Sequence, residues 1–127
     1  MIVADASCIV GALQGPGEAR DLLASEHVVV PHLVDAEVAN AFRGLVARGA
    51  LSEGDARVRL GAWTRYAARR QSTAGLLPRI WGLRATLTAY DATYVALAEA
   101  LGCPLVTCDA RLARAPGPRC PIRVAGL

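Results

Sequence analysis

Short apolar runs alternate with longer amphipathic stretches along the chain. The apolar runs are rich in Val, Ile and Leu and are bounded by polar or turn-forming residues, a pattern typical of buried strands. Strands are therefore predicted at residues 1–4, 27–30, 103–108 and 122–126. The segment RRQSTAG at residues 69–75 is either an exposed connection or a short edge strand.

The stretches between these runs carry apolar residues at helical spacing, which predicts helices. Pro31 suits the first turn of the long central helix, and Gly49 marks its end. Ser52 and Asp55 resemble a capping box that begins the next helix. The predicted helices span residues 7–13 and 17–25, interrupted around Gly15-Pro16, then 31–49, 52–68, 76–85, 89–101 and 110–114.

This alternation of strands and helices predicts an α/β fold with a central, mainly parallel sheet flanked by helices. A chain of 127 residues is long enough for one domain, residues 1–127, and too short for two. In such a sheet the carboxyl ends of the strands lie along one edge, together with the N-termini of the covering helices. Polar side chains at those positions are therefore expected to meet.

Acidic residues occupy these positions in each half of the chain. Asp5 ends the first strand, and Glu37 lies in the early turns of the helix after the second. Asp91 lies in the first turn of the helix before the CPLVTC strand, and Asp109 lies just beyond that strand. The pattern thus predicts four carboxylates on one edge of the sheet.

Each aspartate also has an ordinary structural interpretation. Asp5 and Asp109 can cap the helices that follow them, and Thr88 with Asp91 matches a capping box. As a group, however, four carboxylates would repel one another, and a hard divalent cation bound through oxygen ligands would neutralise them. A cluster of this kind can cleave a phosphodiester with a metal-activated water. Sequence position alone leaves the capping and metal-binding interpretations open.

Composition narrows the chemistry. All 14 basic residues are arginine, so a P-loop lysine and the lysine of phospho-acceptor aspartate proteins are both absent. The net charge of +3 mildly favours a polyanionic partner. The apolar runs are too short to span a membrane and the N-terminus lacks a secretory signal, so a cytoplasmic protein with reduced cysteines is expected.

Three segments resemble a known family. MIVADAS at the start, VDAEVANAFR in the middle and LTAYDATYVALAEALGCPLVTCDARLA near the end are similar to the PIN-domain ribonucleases, specifically the VapC toxins of bacterial toxin-antitoxin pairs. The resemblance covers nearly the whole chain and implies that the metal-binding acids are Asp5, Glu37, Asp91 and Asp109. It favours Glu37 over its neighbour Asp35 because the family's acid precedes an asparagine by three residues, here Asn40.

The resemblance also implies supporting residues. Ser7 and Thr107 match polar positions that support the metal or a phosphate, and Asn40 is grouped with them. Arg84 matches a frequent family arginine and is a candidate for contact with RNA or antitoxin. Structural hydrogen bonding for Ser7 and Thr107, and a structural or solvated role for Arg84, remain open alternatives.

By resemblance, the expected function is a Mg²⁺- or Mn²⁺-dependent endoribonuclease toxin that cleaves structured RNA such as tRNA or rRNA and stops translation. Expected partners are the RNA, a VapB-type antitoxin and a second copy of the chain in a homodimer, with no membrane. The alternatives are a catalytically weak PIN-like module that binds RNA or forms complexes, and a metal-dependent nuclease acting on DNA. Apolar helix surface around Trp63 and Trp81 is a candidate contact, although Trp63, Trp81, Tyr90 and Tyr94 fall at helical spacing and are expected in the core or an interface. The remaining acids, Glu99 among them, are expected to be solvated.

Overall fold

The computed structural model describes residues 1–126, which form five strands and seven α-helices. The strands are β1 (Ile2–Ala4), β2 (Val28–Pro31), β3 (Arg69–Gln71), β4 (Leu105–Thr107) and β5 (Ile122–Val124). The helices are α1 (Ala6–Gln14), α2 (Glu18–Ser25), α3 (Val34–Ala47), α4 (Glu53–Arg65), α5 (Leu77–Gly82, after a 3₁₀ turn at Ala74–Leu76), α6 (Ala89–Leu101) and α7 (Ala110–Arg114).

All strand pairs in the sheet are parallel, in the order β3-β2-β1-β4-β5. The register aligns Val3 with Val29 on one side and with Leu105 on the other. This confirms the predicted α/β class. Since β1 and β4 are neighbours, the residues that follow them lie side by side at the carboxyl edge.

The core centres on β1, β2 and β4, whose residues are all buried. Such continuous apolar strands are expected where both faces of a parallel sheet are covered. Helix α6 contacts these same three strands, and its residues 92–98 are all buried. Within residues 1–126, none of the helices is long and apolar enough to cross a membrane.

The boundaries of the long central helix differ from the prediction. Pro31 is the last residue of β2, aligned with Gln71 of β3, so its assignment to the first turn of a helix was wrong. Helix α3 begins instead at Val34. The fixed φ of proline fits the end of an extended strand as well as a first helical turn, so proline alone does not distinguish them. Gly49 follows α3 with φ of 74°, in agreement with a glycine stop.

The structure also decides the RRQSTAG alternatives and corrects the bounds of the helix predicted at 76–85. The RRQSTAG segment contributes β3, so the edge-strand alternative is correct. The helix predicted at 76–85 is only Leu77–Gly82, because the chain continues from Leu83 in turns closed by bonds such as that from the Arg84 N–H to the Trp81 carbonyl. Gly102, with φ of 63°, ends α6 in the left-handed conformation and directs the chain into β4.

Glu99 of α6 binds Arg79 of α5 and the backbone of the segment before β5. Its Oε1 accepts a hydrogen bond from Arg79 Nε at 2.7 Å, and its Oε2 accepts from Arg79 Nη2 at 3.1 Å and from the Arg119 N–H at 2.8 Å. Arg79 also donates to the Gly117 carbonyl at 3.0 Å. The Glu99 side chain is only 15% exposed, so its expected solvated role was wrong. Arg79 is the main cause of its lowered pKa.

We expect Glu99→Gln to lower the free energy of unfolding by about 1–2 kcal/mol at pH 7, because three donors lose a charged acceptor. A lowered folded-state pKa means that the stabilisation is present above the ordinary glutamate value of 4.5 and disappears as the pH falls through the lower folded value. Urea unfolding at a series of pH values measures this.

The matched control is Glu53→Gln, which removes the exposed pair with Arg57 in α4. That pair lies at i,i+4 on a solvated surface, so its loss should change stability little. An equal effect of the two substitutions, or a Glu99→Gln effect that does not vary with pH, would contradict the prediction.

Candidate functional site

Four carboxylates lie along the carboxyl edge of the sheet. Asp5 directly follows β1, Asp109 follows β4 and caps α7, and Glu37 and Asp91 lie in the first turns of α3 and α6. Burial is the largest cause of the raised pKa values of Asp5, Glu37 and Asp91, and the neighbouring charges add to it: Asp109 acts on Asp5, and Asp5 acts on both Glu37 and Asp91. The structure therefore brings together the four acids that sequence position predicted to share an edge.

Asp5 is the buried member of the cluster, with 5% exposure. Its Oδ1 accepts hydrogen bonds from Ser7 Oγ at 2.6 Å and from the Cys8 N–H at 3.0 Å, and its Oδ2 accepts from Thr107 Oγ1. The bond from Cys8 caps α1, so the capping interpretation is correct. Burial is the largest influence and raises the pKa of Asp5, while these donors act in the opposite direction.

Ser7 and Thr107 connect Asp5 to the strand that carries Asp109. Ser7 Oγ accepts from the Cys108 N–H at 2.8 Å, and Thr107 Oγ1 accepts from the Asp109 N–H at 3.0 Å. The two hydroxyl oxygens lie 3.2 Å apart. Each hydroxyl thus donates to the Asp5 carboxylate and accepts from a backbone N–H just after β4. These bonds fix the orientation of the Asp5 carboxylate.

Glu37 is held by a tyrosine. Tyr94 OH donates to Glu37 Oε1 at 2.5 Å, across the gap between α3 and α6. Burial is the first cause of the raised pKa of Glu37, opposed by the bond from Tyr94 and reinforced by the charges of Asp91 and Asp5. Tyr94 itself is 1% exposed, and burial together with Glu37 raises the pKa of its phenol. Its hydroxyl therefore remains a donor to the carboxylate.

Asp91 differs from the other three acids. In residues 1–126 its carboxylate makes no hydrogen bond, although its backbone N–H donates to Thr88 Oγ1 at 3.2 Å and so completes the predicted cap of α6. Burial first, and then Asp5 and Asp109, raise the pKa of Asp91. The side chain is a half-buried carboxylate with open acceptor positions, which favours binding of a ligand.

Asp109 caps α7 and also forms an ion pair. Its Oδ1 accepts from the Arg111 N–H at 2.9 Å and from Arg111 Nε at 3.2 Å, and its Oδ2 accepts from Arg111 Nη2 at 3.2 Å. Arg111 accordingly lowers the pKa of Asp109, in contrast to the raised values of the other three acids. Capping and membership of the acid cluster are therefore compatible.

Asp35, the sequence neighbour that competed with Glu37, has a structural role. Its carboxylate accepts from Arg70 Nε and Nη2 at 2.7 and 2.8 Å and from Trp63 Nε1 at 2.7 Å. These bonds join α3 to α4 and β3 and lower the pKa of Asp35. The structure therefore commits Asp35 to packing and leaves Glu37 on the acidic edge.

The remaining predicted residues occupy different surroundings. Asn40, one turn after Glu37, lines a groove between α1 and α3 together with Ser7 and Cys108. Arg84 lies away from this groove, donating to the Trp81 carbonyl at 3.0 Å with its guanidinium 4.7 Å from the Trp81 ring centre. Of the two tryptophans considered as contact residues, Trp63 is buried at 4% exposure and Trp81 is 67% exposed.

Sequence reasoning missed two residues of the site. Tyr94 was assigned to the core or an interface, yet it lies three residues after Asp91 on α6 and contacts Glu37 through its hydroxyl. Arg111 was not considered, although its position two residues after Asp109 is compatible with a local ion pair. In both cases, the sequence signal that could have identified the residue was its position only two or three residues from a candidate acid.

The four carboxylates fit a hard divalent cation chemically. Mg²⁺ and Mn²⁺ bind through oxygen ligands, and their positive charge would neutralise the repulsion between the acids. In the described part of the chain, however, no three His, Cys, Asp or Glu side chains are gathered closely enough to hold a metal ion as they stand. Two of the four acids have other partners in this structure: Tyr94 donates to Glu37, and Arg111 donates to both oxygens of Asp109.

Comparison with known proteins places the chain in a family. The model of the PIN domain family matches residues 2–118. Ribonuclease VapC9 of Mycobacterium tuberculosis is 52% identical over 124 residues, covering 98% of each chain. Ribonuclease VapC1 of the same organism is 43% identical over 127 residues, covering 96% of each chain.

Structural comparison agrees with this. The crystal structure of VapBC2 from Rickettsia felis, bound to a DNA fragment from their promoter, contains a chain that matches this one with a TM-score of 0.73 at 15% identity. The match covers 99% of this chain and 100% of that chain, and at this identity it shows a shared fold. With the family match extending over most of the sequence, the chain belongs to the PIN domain family.

Proposed function

We propose that this PIN-domain protein is a divalent-metal-dependent endoribonuclease that acts as the toxin of a type II toxin-antitoxin pair. The observation that carries the proposal is that four acids lie at one edge of the sheet, close enough for their charges to influence one another: Asp5, Glu37, Asp91 and Asp109. The names of the VapC relatives, which describe ribonucleases, support the same activity.

Each acid has a role that follows from its surroundings. Asp5 is oriented by Ser7 and Thr107 and presents a fixed carboxylate. Asp91 has open acceptor positions and can turn toward a cation, and Asp109 follows β4 at the same edge of the sheet. Glu37 is kept in place by Tyr94 and either coordinates directly or positions a water.

A divalent cation, Mg²⁺ or Mn²⁺, would supply the positive charge that the acids lack and would make a water sufficiently acidic to act as a nucleophile at neutral pH. The protein contributes the orientation of its oxygen ligands through the bonds to Asp5 and Glu37. The 2′-hydroxyl of the RNA would then not be needed as the nucleophile, because the water would form the new P–O bond while the P–O bond to the leaving sugar oxygen breaks and that oxygen takes up a proton.

The proposed substrate is structured RNA such as tRNA or rRNA, whose unpaired loops expose bases and backbone to a protein surface. The arginine-only basic residues and the net charge of +3 favour contact with phosphates. The proposed protein partners are a VapB-type antitoxin and a second copy of the chain. The Rickettsia felis VapBC2 structure supports the first of these as a type of assembly for this fold.

The direct test is RNA cleavage by the purified, antitoxin-free protein with Mn²⁺ or Mg²⁺. We expect discrete cuts that disappear with EDTA and fall by at least about 100-fold in Asp91→Asn, because a neutral amide replaces a proposed metal ligand. Asp91 suits the test because its carboxylate makes no hydrogen bond within residues 1–126. Sequencing of the new RNA ends identifies the target.

The matched control is Asp55→Asn. Asp55 occupies the same position in α4 as Asp91 in α6, the third helical residue after a capping hydroxyl, but it is exposed and its backbone N–H donates to Ser52. Its substitution should leave cleavage unchanged. Absence of cleavage under every metal would favour the RNA-binding module, and preferential cleavage of matched DNA oligonucleotides would favour the DNA nuclease.

The same Asp91→Asn substitution should stabilise the metal-free protein by about 0.5–1 kcal/mol, because it removes one of several repelling, half-buried charges. Addition of Mn²⁺ should make the wild type the more stable of the two proteins. At a Mn²⁺ concentration a hundredfold above Kd, the free energy of unfolding of the wild type should rise by about 2.7 kcal/mol, and that of the variant should change little. Urea unfolding with EDTA and with Mn²⁺ measures both effects. A loss of stability in EDTA would instead indicate that Asp91 serves only the N-terminus of α6.

Thr107→Val tests the support of Asp5. The side chain is fully buried, and valine preserves its shape but leaves Asp5 Oδ2 and the Asp109 N–H without their partner. We expect about 1–3 kcal/mol of lost stability and about 10- to 100-fold weaker Mn²⁺ binding, measured by urea unfolding and by calorimetry. Thr107→Ser keeps the hydroxyl and should retain most of the affinity. If Thr107→Val is destabilised but binds Mn²⁺ normally, the hydroxyl is structural only.

A further inference from the structure

Within residues 1–126, Arg111 is the only basic side chain that forms an ion pair with one of the four acids of the cluster. Its backbone N–H, Nε and Nη2 all donate to the carboxylate of Asp109, so that both oxygens of this acid are occupied. Its charge also acts beyond this pair: the pKa of Asp91 is raised by burial and by Asp5 and Asp109, and Arg111 opposes that rise. A single guanidinium thus partly neutralises two of the four proposed metal ligands.

The guanidinium of Arg111 is held by nothing else in the described chain. Its side chain is 85% exposed, and its side-chain hydrogen bonds within residues 1–126 all go to Asp109. It projects from α7, a helix of five residues that is anchored in the core by Leu112. The ion pair can therefore open without disturbing the core, and exposed pairs of this type are weak.

A divalent cation and Arg111 would compete for the same oxygens. A metal ion bound to Asp109 would take the place of the guanidinium at Oδ1 or Oδ2, and its two positive charges would repel the guanidinium of Arg111. The arginine and the cation are alternative neutralising charges for one site.

We propose that Arg111 is the internal counter-ion of the acid cluster in the metal-free protein, that a divalent cation displaces it, and that the released guanidinium then binds a backbone phosphate of the RNA. This inference rests on the proposed function, because it requires that the acids bind a metal. Arg111 stays tethered two residues from Asp109, so the released group remains beside the site. The guanidinium fork matches a phosphate as well as a carboxylate.

The first half of the inference is tested by calorimetric titration of Mn²⁺ into the wild type, Arg111→Gln and Arg114→Gln. Arg114 is the matched control: it lies on the same helix, is exposed and also lowers the pKa of Asp109, but it forms no ion pair in the described chain. We expect Arg111→Gln to bind Mn²⁺ about two- to fivefold more tightly than the wild type, since its competitor is gone. Arg114→Gln should show a distinctly smaller gain.

Equal affinities for the two variants would overturn the displacement, because both remove one positive charge and only one removes the contact. A wild type that binds no Mn²⁺ by calorimetry would overturn the proposed metal-dependent function itself. The two failures are thus distinguishable. Circular dichroism of each variant verifies that α7 and the remainder of the fold are retained.

The second half is tested by fluorescence anisotropy of a labelled single-stranded RNA oligonucleotide, with Ca²⁺ as an oxygen-binding ion and with EDTA. With Ca²⁺ we expect Arg111→Gln to weaken RNA binding about three- to tenfold relative to Arg114→Gln, because only Arg111 is released at the site. With EDTA the two variants should bind RNA equally. A loss that is the same in both conditions would show that Arg111 is an ordinary surface contact, not one released by the metal.

Discussion

The structure depends on a carboxylate buried at the carboxyl ends of two neighbouring parallel strands, β1 and β4. Asp5 has 5% exposure and is stabilised by the Ser7 and Thr107 hydroxyls and by the Cys8 N–H. A buried charge without such donors would be strongly destabilising, so the sequence around it must supply them. These bonds join β1, α1 and the end of β4, and they therefore set both the local fold and the position of the proposed site.

The acidic edge is a compromise between stability and function. Burial and mutual repulsion raise the pKa values of Asp5, Glu37 and Asp91, which means that their charged forms are disfavoured by the metal-free fold. Tyr94 and Arg111 reduce that cost through bonds to two members of the cluster. A site that is only partly neutralised by the protein keeps a driving force for binding a cation, as functional sites often do.

The same side chains serve as helix caps and as members of the cluster. Asp5 and Asp109 each accept a hydrogen bond from a backbone N–H in the first turn of α1 and α7, while Thr88 caps α6 and leaves the carboxylate of Asp91 open. This overlap arises because parallel strands deliver their carboxyl ends and the following helix N-termini to one edge. Helix capping and metal binding were therefore never exclusive interpretations of these aspartates.

Pattern and spacing were sufficient to predict the α/β class, most element positions and the four acids on one edge, because strand and helix periodicities and the geometry of parallel sheets are local or general rules. They failed at Pro31 and at Glu99, where the outcome depends on a partner strand and on Arg79, which lies 20 residues away in sequence. Only tertiary structure separated Asp35 from Glu37 by contact and brought Tyr94 to Glu37. Those pairings link residues far apart in the chain, and no local pattern records which distant side chain will face them.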